Sequence, residues 1–101
     1  MDINLRNHYI ELFDRYSELL TDKQKNYFIS YYFDDLSLSE MAEIYNISRN
    51  ACHDAIKKTC DYLEEYEAKL GLLKKYKKLN EALELDDIDD IKKIIEDIVE
   101  V

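Results

Sequence analysis

Residues 37–63, SLSEMAEIYNISRNACHDAIKKTCDYL, decide the fold of this chain. Two short amphipathic segments flank Asn46, the kind of residue that tolerates the left-handed backbone of a tight turn without being glycine. The small side chain of Ala42 lets the second segment approach the first closely. This spacing predicts a helix-turn-helix, a motif whose second helix usually enters the major groove of DNA.

Capping residues indicate where the helices begin. Ser37 and Glu40 form one capping box and Thr21 and Gln24 form another, while Ser48 can cap the second helix of the motif. Together with apolar residues at three- and four-residue steps, these signals predict helices over about 4–19, 22–33, 38–45, 48–70 and 87–99. Gly71 either ends the fourth helix or only weakens a helix that continues to about 84, and the sequence leaves both readings open.

The apolar positions predict which helix faces are buried. The first helix places seven apolar residues on one face: Leu5, Tyr9, Leu12, Phe13, Tyr16, Leu19 and Leu20. The fourth carries the stripe Cys52, Ile56, Cys60 and Leu63, and the last has an isoleucine-rich face from Ile88 to Val99. With one glycine and no proline in 101 residues, an all-α fold is expected. We expect a single domain over 1–101, with a tri-helical helix-turn-helix core at 20–63, a long fourth helix, and C-terminal amphipathic helices within the extension 64–101.

Net charge bears directly on any nucleic-acid role. The chain carries −9 in total, but residues 81–101 alone hold nine carboxylates and two lysines, so residues 1–80 are nearly balanced. Within 48–63 there are three basic and two acidic side chains, which is less than the clear basic face expected of a nucleic-acid-binding domain. The charge pattern therefore permits nucleic-acid binding without favouring it strongly.

Candidate nucleic-acid contacts lie on the polar face of the fourth helix. They are Arg49, Asn50, His53, Lys57 and Lys58. Arg49 suits the edge of guanine and Asn50 the edge of adenine. Lys57 and Lys58 suit phosphate.

The sequence offers little for catalysis, metals or cofactors. Cys52 and Cys60 lie eight residues apart on one predicted helix, a rise of roughly 12 Å that is too long for a disulfide. They lack the close spacing of a zinc site, so reduced core thiols are expected. His8 and His53 fall on different helices, and one glycine cannot make a phosphate-binding loop. We therefore expect a cytoplasmic protein that is no enzyme, binds no cofactor or metal, and does not insert into membranes.

Residues 20–59, LTDKQKNYFISYYFDDLSLSEMAEIYNISRNACHDAIKKT, resemble region 4 of bacterial sigma factors. They resemble still more closely the YlxM family of helix-turn-helix proteins, also called UPF0122, and the similarity continues through YLEEYEAKLGLL at 62–73. Genes of that family usually stand beside those for the signal recognition particle. The resemblance implies a regulatory or accessory role in that pathway. Cys52 and His53 depart from the common pattern, which often has valine and then an aromatic residue.

Three functions remain open from the sequence. The first is sequence-specific DNA binding as a transcriptional regulator, through the fourth helix. The second is an accessory of the signal recognition particle that binds its RNA or its GTPase. Its most basic stretch would be Lys69, Lys74, Lys75, Lys77 and Lys78, unless these form a solvated face paired with Glu64, Glu65 and Glu67. The third is a structural homodimer without nucleic-acid binding, because so much amphipathic helix in a small chain often pairs with a second copy.

Overall fold

The computed structural model describes residues 2–99, and these residues form helices with no strand. The six α-helices are α1 Ile3–Tyr16, α2 Asp22–Phe28, α3 Leu38–Tyr45, α4 Arg49–Leu70, α5 Leu72–Leu83 and α6 Ile88–Val99. The predicted all-α class is confirmed. Contacts divide the chain into two compact units, one up to Lys69 and one from Leu70 onward. The first unit contains the whole helix-turn-helix.

Both predicted capping boxes are present. Thr21 Oγ1 accepts a 3.2 Å hydrogen bond from the Gln24 amide, and the Gln24 side chain accepts a 2.9 Å bond from the Thr21 amide. Ser37 and Glu40 exchange the same two bonds at 3.0 Å each. Each box satisfies amides that would otherwise lack partners at a helix start. The starts of α2 and α3 are therefore fixed locally.

The turn of the helix-turn-helix is built as predicted. Asn46 has φ 54° and ψ 49°, and its amide donates to the Ala42 carbonyl to close α3. Ile47 also donates to Ala42, at 3.1 Å. Ser48 Oγ then accepts a 3.0 Å bond from the Ala51 amide and caps α4. The left-handed residue thus reverses the chain within three residues.

The first two predicted helices end near the predicted residues but change helix type before they end. The α-helical part of the first helix ends at Tyr16, and Ser17–Leu19 form a 3₁₀ turn. The second helix is α-helical only to Phe28 and continues as a π-helical turn, Ile29–Phe33. A further left-handed residue, Asp35 with φ 55°, follows this turn. Arg6 of α1 holds it by a 2.6 Å ion pair to its carboxylate.

The region around Gly71 was left open by the sequence, and the structure decides it. Gly71 has φ 63°, so α4 ends at Leu70 and α5 begins at Leu72. A single helix through to residue 84 is therefore excluded. Glycine adopts this left-handed conformation at little steric cost, which makes it a common helix end.

The core of the first unit is aromatic and aliphatic. Its most deeply buried large side chains are Leu12, Tyr16, Phe28, Met41 and Leu63. The Phe28 ring stacks on Phe13 and on Tyr32, with centroids 4.4 Å apart in both pairs. The predicted α4 stripe is confirmed, since Cys52, Ile56, Cys60 and Leu63 are all buried. Both cysteines are free thiols, as expected.

Two residues predicted on the buried face of the first helix are exposed instead. Leu5 is 48% exposed and Leu19 is 53% exposed. Leu19 lies in the 3₁₀ turn, whose three-residue period rotates it away from the face that an α-helix would give it. Leu5 lies in the first turns of α1, where it lines an open groove described below. Helical periodicity alone did not predict the exposure of Leu5 or Leu19.

The second unit is a helical hairpin. α5 and α6 pack together and are joined by four residues, 84–87. The Asp87 side chain accepts a 2.8 Å bond from the Asp89 amide and starts α6, one residue later than predicted. Leu73 and Ala82 of α5 are buried, whereas no residue of α6 is buried.

Candidate nucleic-acid interface

The five candidate contacts share one exposed face of α4. Arg49, Asn50, His53, Lys57 and Lys58 are all exposed, together with Asp54 and Asp61. We call these seven residues the outer face of α4. The stripe on the other side of the helix is buried, and helical periodicity turns these side chains outward as a consequence. The structure therefore brings all five predicted residues together.

Two of the five already have a carboxylate beside them. His53 Nδ1 lies 3.6 Å from Asp54 Oδ1, and Lys57 Nζ lies 3.2 Å from Asp61 Oδ2. Contacts this exposed are weak, so a phosphate could displace either carboxylate. Each displaced carboxylate would nevertheless remain on the outer face and repel the ligand.

Arg49, Asn50 and Lys58 differ from that pair. Within residues 2–99 no hydrogen bond or ion pair engages their side chains. Arg49 and Asn50 lie in the first turn of α4, and Lys58 lies roughly 13 Å further along its axis. The early residues of such a helix usually meet bases, and later cations usually meet phosphates. Of the five candidates, these three side chains are available without breaking an existing contact.

A groove beside α4 adds a cation that the sequence reasoning missed. It has a volume of about 430 Å³ and lies between the start of α2 and α4. Lys23 and Lys58 both line it, so they flank one side of the outer face; we call it the lysine groove. The Lys23 ammonium lies 5.6 Å from the centre of the Tyr27 ring. In the sequence, the only sign that Lys23 lies near this face is its position two residues after the capping Thr21, and that sign is weak.

A second groove lies on the other side of the outer face. Its volume is about 420 Å³, and we call it the tyrosine groove. Its lining residues are Leu5, Tyr9, Tyr31, Tyr32, Leu38, His53, Ile56, Lys57, Cys60 and Asp61. The walls are mainly apolar, and the charged residues all come from the outer face of α4.

The thiol at the floor of the tyrosine groove, Cys60, is not activated as a nucleophile. The Tyr32 hydroxyl lies 3.5 Å from Cys60 Sγ. Burial raises the pKa of the Cys60 thiol, although the contact with Tyr32 opposes this, and burial also raises the pKa of Tyr32. A nucleophilic thiol needs a lowered pKa. Cys60 is therefore protonated at neutral pH and poorly suited to catalysis.

The start of α3 is not a phosphate site. The Glu40 carboxylate accepts a hydrogen bond from the Ser37 amide, and hydrogen bonding to Ser37 lowers the pKa of Glu40. An exposed anion therefore occupies the positive end of α3. Phosphate would be repelled there, in contrast to an uncapped helix start.

Across residues 2–99 no group of three or more histidine, cysteine and acidic side chains is arranged to hold a metal ion. Over the same residues, none of the helices combines the length and apolar character needed to cross a bilayer.

The first unit is more acidic than the near balance of charge over residues 1–80 suggests. The lysines at 74–78 belong to the second unit, so the unit up to Lys69 has eight basic and fourteen acidic side chains, a net charge of −6. The unit with the helix-turn-helix is thus acidic in its own right. The net charge of this unit therefore opposes attraction to nucleic acid.

Comparison with known proteins identifies the family. A family described as "Putative helix-turn-helix protein, YlxM / p13 like" matches residues 3–101. A UPF0122 protein of Halalkalibacterium halodurans is 51% identical over 84 residues, which cover 83% of this chain and 75% of that protein. One from Geobacillus kaustophilus is 52% identical over 73 residues, covering 72% and 66%. One from Listeria welshimeri is 60% identical over 65 residues, covering 64% and 59%. Membership of a helix-turn-helix family supports a nucleic-acid-binding regulatory role. The chain belongs to the UPF0122 family of helix-turn-helix proteins.

Proposed function

We propose that this protein is a non-enzymatic regulator that binds nucleic acid through the outer face of α4. The observation that carries the proposal is the exposure of Arg49, Asn50 and Lys58 without side-chain partners in the described structure. They lie on the second helix of a helix-turn-helix, the element that reads bases in DNA-binding proteins of this architecture. Duplex DNA is the ligand that this geometry fits best.

The contacts divide into two kinds. Arg49 and Asn50 would meet base edges, since these side chains make paired hydrogen bonds to guanine and adenine. Lys58 and Lys23, across the lysine groove, would hold phosphates of one strand. His53 and Lys57 would approach the other strand after exchanging their carboxylate neighbours for phosphate.

The acidity of the first unit limits how binding can occur. With a net charge of −6, this unit should have little affinity for arbitrary DNA. Only a few cations are available, so the logarithm of the binding constant should fall with the logarithm of salt concentration with a slope of about −2 to −4. Binding should therefore be selective and detectable mainly at low salt.

A selection experiment tests the proposal. The full chain would be mixed with a randomised pool of duplex DNA and, separately, a randomised pool of structured RNA at about 50 mM salt. We expect enrichment of a DNA sequence, and loss of its binding in the double variant Arg49→Ala, Asn50→Ala. Lys69→Ala is the matched control, because Lys69 lies on the same helix and pairs with Glu65 at 2.8 Å. Enrichment from neither pool would overturn the proposal, while enrichment from RNA alone would replace DNA as the ligand.

A role beside the signal recognition particle is the second candidate. The family resemblance implies it, with the particle RNA or its GTPase as partner. Three apolar side chains of the first unit are available to a protein partner, since Ile29, Phe33 and Ile44 are 37%, 45% and 63% exposed. Retention of the purified GTPase by the full chain at low salt tests it. Ile44→Glu should weaken this retention, because Ile44 is the most exposed of the three, and failure of the unmodified chain to retain either GTPase or RNA would exclude the role.

The proposal includes a homodimer acting in the cytoplasm. Two copies of the outer face of α4, related by a two-fold axis, would match two half-sites on DNA. Dimerisation would also double the number of base contacts, and this would offset the weak electrostatics of each copy.

A further inference from the structure

The α5–α6 hairpin leaves one apolar face open. Ala82 of α5 is buried, and Ile91, Ile94 and Ile98 of α6 are half-buried. Five of the large apolar side chains that remain more than 40% exposed on the two helices are Leu79, Leu83, Ile88, Ile95 and Val99. We call these five residues the hairpin face.

The hairpin face is continuous with a groove. The groove has a volume of about 370 Å³ and lies between the two helices. Its lining is entirely apolar: Leu79, Ala82, Leu83, Leu85, Ile91 and Ile95. Two helices of 12 residues cannot enclose a core between them alone, so burying this face would remove a large apolar area from water. An apolar cleft of this shape accepts side chains from another helix.

Charge distinguishes the two helices of the hairpin. α5 carries four lysines and one glutamate, whereas residues 84–99 carry seven carboxylates and two lysines. A surface with one basic half and one acidic half is self-complementary if a two-fold axis sets each half against the other. The hairpin is therefore complementary in charge to a second copy of itself.

We propose that a second copy of this chain covers the hairpin face, with α5 of each copy lying against α6 of the other. The inference rests on the homodimer included in the proposed function and specifies where it forms. Helices joined by a short loop run antiparallel, and a two-fold axis parallel to them sets basic α5 over acidic α6. All neighbouring helices in the resulting four-helix bundle are then antiparallel. An axis perpendicular to the helices would instead set lysines against lysines.

Sedimentation of the full chain tests the location of the interface. The unmodified chain should sediment as a dimer at micromolar concentration. Leu83→Glu should give a monomer with unchanged helical content, because Leu83 is 83% exposed within one chain and packs little there. Ile3→Glu is the control, since Ile3 is 70% exposed on α1, outside the hairpin face. The Ile3→Glu variant should remain a dimer. A monomeric unmodified chain, or a dimeric Leu83→Glu variant, would overturn the inference.

Cysteine crosslinking tests the arrangement. Leu79→Cys and Ile95→Cys variants would be oxidised separately and as a mixture, with the unmodified chain as background because Cys52 and Cys60 are buried. We expect a disulfide-linked dimer from the mixture that contains one chain of each kind. Crosslinking of Leu79→Cys to itself would show α5 against α5 and contradict the proposed axis.

Failure of this inference is distinguishable from failure of the proposed function. A chain that dimerises through the hairpin face but enriches no nucleic acid would refute the function and leave the dimer intact. A Leu83→Glu variant that sediments as a monomer and retains weakened, non-cooperative nucleic-acid binding would support both.

Discussion

The hydroxyl of Tyr16 in α1 donates a 2.6 Å hydrogen bond to Oε1 of Glu67, near the end of α4. Tyr16 is only 1% exposed, so this bond forms at the edge of the core. Glu64, one turn before Glu67 on α4, also contacts α1, and its Oε1 lies 2.6 Å from His8 Nε2. α1 thus contacts α4 well past the helix-turn-helix, and for this reason the first compact unit extends to Lys69.

Tyr16→Phe should destabilise the protein without changing its fold. The substitution removes a hydrogen bond to a charged group, which contributes about 1.5–3 kcal/mol to the free energy of unfolding. Urea denaturation measures this value. Tyr62→Phe is the control, since Tyr62 is 41% exposed and should change stability by less than about 0.5 kcal/mol. Equal effects of the two substitutions would show that the Tyr16–Glu67 bond contributes nothing specific.

Lys58→Ala should weaken nucleic-acid binding more than Lys57→Ala. Both lysines are exposed on the outer face of α4, but Lys57 pairs with Asp61 at 3.2 Å whereas no described side chain pairs with Lys58. Loss of a phosphate contact should reduce the salt slope by about 1. Titration of the selected nucleic acid at several salt concentrations measures both affinity and slope. If Lys57→Ala has the larger effect, the contact scheme is wrong.

Asn46→Val should lower stability, and Asn46→Gly should preserve it. A β-branched residue is strained at φ 54°, and the left-handed conformation costs about 1–2 kcal/mol for an ordinary side chain. Glycine adopts the same backbone without that cost. Thermal denaturation of the two variants gives the comparison. A valine variant as stable as the unmodified chain would mean that the turn does not require this conformation.

Stability should fall at alkaline pH because of Cys60. Burial raises the pKa of its thiol in the folded protein, so the unfolded chain loses this proton first as pH rises. The folded state is therefore favoured below the ordinary thiol pKa of about 8.5, and this contribution is lost above it. Urea denaturation between neutral pH and about pH 9.5 measures the decline, which should be smaller in Cys60→Val. An identical decline in that variant would assign the effect to other groups, such as Tyr32.

Local signals in the sequence determined the helix starts and the turn. The Thr21–Gln24 and Ser37–Glu40 pairs could be predicted because a capping box needs only residues three positions apart. Asn46 could be predicted because its left-handed backbone depends on the residue itself. The buried stripe of α4 followed from periodicity alone. The five candidate contact residues share a face for the same reason, although their binding role stays a prediction.

Tertiary contacts decided what local sequence could not. Arg6 contacts the Tyr32 carbonyl in the π-helical turn and the carboxylate of the left-handed Asp35, and these residues lie 26 and 29 positions away in sequence. Lys23 joins Lys58 at the lysine groove only because α2 packs beside α4. The division of the chain into two units depends on which residues make contacts, and it assigns the lysines at 74–78 to the second unit.

The sequence by itself therefore determined the capped helix starts, the left-handed turn at Asn46 and the exposed polar face of α4, because each depends on residues within one or two turns of each other. The tertiary structure alone decided which cations flank that face and where the first unit ends. It also decided that no isoleucine of α6 is fully buried within one chain. These features depend on residues far apart in the chain, and only packing brings such residues together or keeps them apart.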